Sequence, residues 1–334
     1  MFVTGAYGLL GSWLVKALHA RGARVTVLKR DAVSASALVA EGTERLVNVV
    51  HGDVCDAALV ERVLGEYEVD TVFHLAAQAI VGVANRGPVS TFDTNIRGTW
   101  TMLEACRRAA VPRTIVASSD KAYGAQDELP YRESFALRPE HPYDVSKAAA
   151  DLIARSYSRT FGLPVAVTRF ANLYGGGDFN LSRLIPEAVV AAIEGRSPVI
   201  RSDGTPERDF LYVEDAVLAY LDICDLLDDG RGAGEAFNAG GREARSVLDV
   251  VDLVCALSGS GVTPDIRGTG TPAGEIDRQW VDSSKLHAAT GWEPAVGLEE
   301  GLRRTIAWYR EHLSHRDAAA GRTQSPPAPA DHHG

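Results

Sequence analysis

The chain lacks most of the features that would place it outside ordinary globular proteins. Its four cysteines, Cys55, Cys106, Cys224 and Cys255, are scattered, with no CxxC and no paired histidine. That excludes a disulfide scaffold and a zinc ligand set, and suits reduced thiols in the cytoplasm. No apolar run approaches the roughly 20 residues of a membrane span. No signal-peptide pattern precedes the first strand-like segment. Lys and Arg form no block, and the formal net charge is −10. Nucleic acid is excluded as a main partner, because phosphate tracking needs clustered cations. A small anionic ligand is not excluded, since it needs only local cations and backbone N–H groups. No internal repeat is present. What is there is a soluble composition of 334 residues, 46% hydrophobic and 23% charged. That suffices for one large or two modest domains.

Through the first half, strand-like and helix-like segments alternate. Strands are expected at 2–4, 24–28, 46–51, 71–75, 114–117 and 165–169, and helices at 13–21, 57–64, 94–110 and 145–161. Such alternation implies a parallel sheet covered on both faces, a doubly wound α/β fold. Ligands then bind at the carboxyl ends of the strands. After Asn172 the texture changes. Three glycines at 175–177 precede a helix at 184–194, and Gly, Pro and Asp become denser beyond it. The expected division is 1–172, 173–313 as a smaller part, and a disordered Ala/Pro-rich tail over 314–334. Segments near 208–240 are expected to return to the first part. The start is abrupt, so either the native start lies upstream or the first strand is short.

Residues 5–11, GAYGLLG, follow the first strand and open the first helix. Glycines there let backbone approach a pyrophosphate, which the helix N-terminus attracts. This reads as a dinucleotide loop. A ribose-reading acid is expected about 20 residues further on, and Asp31 stands there. Asp31 favours NAD. Lys29 and Arg30 beside it could instead hold a 2′-phosphate and favour NADP. Asp53 is placed to reach the adenine, although Gly-Asp is also a common turn.

The segment ASSDKAYG at 117–124 ends a strand with two serines, an acid and a base. Either Asp120 and Lys121 close the strand end as an ion pair, or they work on one substrate. Downstream, YDVSK at 143–147 sets Tyr143 and Lys147 four apart, a spacing that shares one face if the segment is helical. A phenol of pKa about 10 is a poor base until neighbouring cations stabilise its phenolate. His74, at the end of the fourth strand, has no second ligand at metal spacing and reads as a packed histidine.

These segments resemble the extended short-chain dehydrogenase/reductases, the NAD-dependent epimerase/dehydratase family. The carrying stretches are VTGAYGLLGS at 3–12, HLAAQ at 74–78, DTNIRGTWTMLEA at 93–105, SSDKAYG at 118–124 and YDVSK at 143–147. RFANLYG at 169–175, RDFLYVEDAV at 208–217 and GWEP at 291–294 continue the series in family order. Within the family, GSWL, the Ser-Asp-Lys triple and GGGDFNLSRLIP at 175–186 look most like CDP-glucose 4,6-dehydratases and related nucleotide-sugar dehydratases.

The resemblance implies a Rossmann-type sheet with a smaller α/β C-terminal substrate-binding domain, bound NAD and a nucleotide-diphosphate sugar as substrate. For the cofactor it implies Gly5, Tyr7, Gly8, Leu9, Leu10, Gly11, Asp31, Asp53 and Val54. It adds Leu75, Ala76, Ala77, Gln78, Asn95, Ser118, Tyr143, Lys147 and Phe170. For the substrate it implies Gln78, Ser119, Asn172, Arg183, Arg208 and Arg278, the last two suited to a diphosphate. In the implied mechanism Tyr143, assisted by Lys147, takes the 4-OH proton while C4 gives hydride to NAD. Ser119 hydrogen-bonds that oxygen, Asp120 protonates the leaving 6-OH, and Lys121 takes the C5 proton. Hydride returns to C6. The chain departs from the many relatives that carry Asp-Glu here. A neutral Lys121 needs a lowered pKa, which burial and nearby cations favour and Asp120 opposes. A 4-epimerase, which needs no second acid–base pair, is the rival activity, and a non-catalytic nucleotide-binding regulator is the rival class. The helices at 94–110 and 145–161 resemble the pair that forms the family's dimer interface.

Overall fold

The computed structural model describes residues 1–31, 35–272 and 274–322. Thirteen strands are described: β1 Phe2–Thr4, β2 Thr26–Lys29, β3 Asn48–His51, β4 Thr71–His74, β5 Arg113–Ala117, β6 Val165–Phe170, β7 Asn172–Tyr174, β8 Val199–Ile200, β9 Glu207–Tyr212, β10 Ala236–Ala239, β11 Ala244–Ser246, β12 Asp265–Ile266 and β13 Arg278–Gln279. Seven form one parallel sheet in the order β10-β6-β5-β4-β1-β2-β3. The order reverses at β1 and β4, so the crevice of a doubly wound sheet opens there.

Period-two alternation builds the two faces. Val3, Phe73, Ile115 and Ala166 point into one apolar cluster, which the Leu9–Ala20 and Val213–Asp228 helices cover with Leu14, Val15, Val217 and Tyr220. Phe2, Val72, Val116, Val165 and Val167 point into the other, closed by Val60, Val63, Met102 and Leu103. Each strand alternates between these clusters because both of its faces are buried. The Val213–Asp228 helix and β10 lie on this sheet although the chain has by then built β9 elsewhere.

A smaller sheet has β9 at its centre, flanked by antiparallel β11, parallel β13 and parallel β7. Its own core contains Ile185, Val189, Val250, Val254, Leu302 and Ile306. β8 and β12 form a separate parallel pair.

Element types match the alternation, and the differences have local causes. The first helix begins at Leu9 rather than 13, because the end of the glycine loop is itself the first helical turn. The helix carrying Tyr143 and Lys147 begins at Pro142, a residue preset for the first helical position. Tyr143 therefore lies inside the helix, one turn before Lys147. The expected helix at 94–110 is a π-helical turn, Asp93–Arg97, followed by α-helix over Gly98–Arg108. The last helix, Leu298–Arg322, runs into the expected tail. The expected tail from 314 thus begins within this helix. Residues 323–334 lie outside the described residues. No described helix is long and apolar enough to cross a membrane, and no metal-binding group of side chains occurs among the described residues.

Candidate active site

The glycine loop is shaped by contacts that only glycine permits at two positions. Gly5 has φ +71°, and a Cβ there would lie 2.6 Å from the Leu75 carbonyl carbon. A Cβ on Gly11 would lie 2.2 Å from the Gly5 oxygen. A Cβ on Gly8, by contrast, would meet the Gly5 oxygen at an ordinary 3.5 Å. No side chain caps the Leu9–Ala20 helix, so the first-turn N–H groups at Leu9 and Leu10 have no side-chain acceptor. This cradle fits the pyrophosphate of a dinucleotide. Ala76 N–H donates to Thr4 Oγ1, which fixes the β4 exit against β1.

Asn95 ties the next wall together. Its Oδ1 accepts from Gln78 N at 2.7 Å, and its Nδ2 donates to Gln78 O and to Ser146 Oγ. The π-helical turn is what aims this buried side chain inward. Ala77 lies between Ala76 and Gln78 on the same exit, and Val54 packs where a Gly98 Cβ would fall. Asp53 caps its own turn by accepting from Cys55 N. Phe170 is buried edge-on against Tyr220. Asp31 is exposed and paired with Arg30 at 2.7 Å. The carboxylate that reaches the end of β2 is instead Glu44, bonded to Lys29 and Tyr7.

At the carboxyl end of β5, Ser118 Oγ donates to Lys147 O, and Lys147 Nζ donates to Ala117 O at 2.9 Å. Ser119 caps the 3₁₀ turn Asp120–Tyr123 by accepting from Lys121 N, and donates to Asp120 Oδ1 at 2.9 Å. Burial pushes the Tyr143 phenol up to about 12; Arg183 pulls it down, Asp120 pushes it further up, and a Ser119 hydrogen bond pulls it down. Burial lowers the Lys147 ammonium to about 8. Asp120 is 3% exposed, and burial raises its pKa against the pull of Lys121, Ser119 and Arg208. Its Oδ2 has no protein partner. The site therefore joins Tyr143, Ser119 and a buried carboxyl that favours its proton.

His74 sits between two hydroxyls, Thr4 Oγ1 at 2.9 Å and Thr99 Oγ1 at 3.1 Å. Burial and the Lys147 charge lower it to about 3, so it is neutral. Behind the site a buried ion pair fixes the frame. Arg169 grips Asp151 bidentately at 2.7 and 2.9 Å and donates to Tyr123, whose hydroxyl donates to Asn238. Four segments are thereby locked together: β6, β10, the Pro142–Phe161 helix and the Asp120–Tyr123 turn. Fully satisfied buried pairs of this kind specify geometry more than they add stability.

The expected substrate side chains fall in different settings. Arg208 is largely buried, tied to the backbone oxygens of Glu207, Ile276 and Asp277, and faces Asp120. Arg183 is held by Asp178 at 2.8 Å beside Tyr143. Asn172 donates to Asp209 O. Arg278 is exposed, paired with Glu207 and stacked on Trp280. Besides Glu44, three acids went unnoticed in the sequence. Glu275 lies 3.2 Å from Lys121 Nζ and 3.8 Å from Arg208. Asp144 is buried, which pushes it up to about 6 against Lys121 and His141. Asp209 is buried with Oδ1 unpartnered, and burial raises it well above the carboxylate range. Only Asp144 had a local signal, its place beside Tyr143 in the first helical turn.

Comparison with known proteins now bears on this geometry. Residues 1–240 match the model of the NAD dependent epimerase/dehydratase family. The chain is 33% identical to dTDP-glucose 4,6-dehydratase 1 of Escherichia coli K12, over 92% of each chain. It is 34% identical to the dTDP-glucose 4,6-dehydratase of Xanthomonas campestris, again over 92% of each. The dTDP-glucose 4,6-dehydratase of Streptomyces venezuelae, solved with NAD and TYD bound, superposes with a TM-score of 0.84 at 31% identity, covering 94% of this chain and 98% of that one. The UDP-glucose 4-epimerase of Thermotoga maritima, solved with UDP-glucose, superposes with a TM-score of 0.86 at 29% identity, covering 93% and 99%. With a family model spanning residues 1–240 and relatives at 33–34% identity matched over 92% of each chain, the chain belongs to the NAD dependent epimerase/dehydratase family.

Proposed function

We propose that the chain is a nucleotide-sugar 4,6-dehydratase, converting a nucleotide-linked hexose to its 4-keto-6-deoxy form. The observation that carries the reading is Asp120: a buried carboxyl, hydrogen-bonded to Ser119, whose burial favours the protonated acid beside Tyr143. A 4-epimerase has no use for that acid, whereas elimination of water needs one. Bound NAD, held by the glycine loop with Tyr143 and Lys147, would supply the hydride acceptor for C4 and the donor for C6. Tyr143 accepts the O4 proton, with Ser119 holding that oxygen and Lys147 supplying positive charge. Asp120 protonates O6 as the C6–O6 bond breaks, and Lys121 takes the C5 proton and returns it to C5 as hydride reaches C6; Tyr143 then releases the O4 proton to solvent, from which Asp120 regains its own. Arg208 and Arg183 meet the diphosphate.

The curated relatives act on dTDP-glucose by name, whereas the Ser-Asp-Lys segment resembles the CDP-glucose enzymes. Both sugars therefore belong in the test. The protein is incubated with CDP-, dTDP-, UDP- and GDP-hexoses and the products are weighed. A product lighter by one water, from at least one donor, is expected. An isomer of unchanged mass overturns the reading in favour of epimerisation.

We also propose a homodimer. The Gly98–Arg108 and Pro142–Phe161 helices pack side by side and expose Trp100, Leu152 and Phe161. Large apolar side chains grouped on two adjacent helices mark an association surface. Leu152→Asp is expected to yield monomer by light scattering; an unaltered mass for the variant removes this face from the interface.

A further inference from the structure

The end of β2 is where sheets of this kind read the adenosine ribose, by an acid that accepts from its hydroxyls. Here β2 ends on Lys29. Its Nζ lies 2.7 Å from Glu44 Oε1 and 4.9 Å over the Tyr7 ring. The Tyr7 hydroxyl donates to the same Glu44 oxygen at 2.7 Å. Tyr7 comes from the glycine loop, Lys29 from β2 and Glu44 from the short 3₁₀ turn Thr43–Leu46. Three separate segments thus converge between the loop and the strand end. Lys29 and Glu44 side chains are only 17% and 25% exposed. The hydrogen bonds from Lys29 and Tyr7 hold the Glu44 carboxyl below its ordinary range, so it is anionic. Arg30, the neighbouring cation, is turned to Asp31 in solvent.

We infer that Glu44 sets the choice of NAD over its 2′-phosphorylated form. It acts in two ways. It occupies Lys29, the cation at the strand end that a 2′-phosphate would use. It also places a carboxylate where that phosphate would arrive, a repulsive element against the wrong ligand. Ribose hydroxyls are neutral donors, which a carboxylate accepts. The role that spacing gave to Asp31 thereby passes to a residue fifteen positions beyond Lys29.

The test measures dissociation constants of NADH and NADPH by nicotinamide fluorescence, on the full chain freed of resident nucleotide. Glu44→Gln keeps the shape and removes the charge. It is expected to shift the affinity ratio toward NADPH by at least about tenfold, the scale of one charge-assisted contact. Lys29→Met leaves Glu44 unneutralised and is expected to shift the ratio the other way. Opposite shifts support the inference. An unchanged ratio in Glu44→Gln, or shifts of the same sign in both, overturns it. Should Glu44→Gln bind neither nucleotide, the sign of the Lys29→Met shift decides.

Discussion

Tyr143→Phe is expected to lower turnover of a nucleotide hexose by about 10²–10⁴-fold, the range that a positioned acid–base group supplies. The expected loss is in kcat, because the phenyl ring preserves the packing of a residue only 9% exposed. No reduced nicotinamide should build up, since nothing accepts the O4 proton as C4 is oxidised. The large effect has an electrostatic origin. In the protein alone burial holds the phenol near 12, far too high for a base at neutral pH. The phenolate must be stabilised by positive charge, and the buried Lys147 is the ammonium one helical turn away. That ammonium is itself lowered to about 8. It is present below that pH and lost above it, so activity is expected to decline as pH rises through about 8. A Tyr143→Phe protein within tenfold of the original rate would remove Tyr143 from the chemistry.

Much of this site was legible in the sequence, and most of the part that was not has one physical cause. The parallel sheet follows from alternation that a reader can see, as Phe2 and Val3, or Val72 and Phe73, supply opposite faces. The glycine loop, the Ser-Asp-Lys segment and the Tyr143–Lys147 spacing are local patterns, each carried by neighbours in one element. Pro142 was a local signal as well, and weighing it would have put Tyr143 inside its helix. Glu44 and Glu275 leave no such trace. Glu275 meets Lys121 across 154 positions, and Glu44 meets Tyr7 across 37. Only tertiary structure brings them together, and no periodicity encodes that. Asp31 stands at the expected distance from the loop, two residues past the end of β2 on Lys29, and there it is exposed and paired with Arg30.

Lys121→Met should separate the two halves of the reaction that Tyr143→Phe stops together. Oxidation at C4 does not use Lys121 and should proceed, so reduced nicotinamide is expected to accumulate on mixing with substrate. Water loss should fall by about 10²–10⁴-fold, because the C5 proton has lost its acceptor. Lys121 is 14% exposed at the side chain and its Nζ faces Glu275 at 3.2 Å. To act as a base it must surrender that ion pair. A substrate that draws Glu275 away, or takes the proton's charge onto it, makes the lysine available. Met fills the same volume without a nitrogen, so the frame held by Arg169 and Asp151 is left intact. Asp120→Asn provides the companion signature: reduced nicotinamide again, with water loss blocked at the leaving oxygen instead of at C5. The two differ in the fate of the C5 hydrogen, which Lys121 can still exchange with deuterated solvent in Asp120→Asn but not in Lys121→Met. Normal water loss by Lys121→Met would transfer the base to one of the two carboxylates beside it, Asp144 or Glu275.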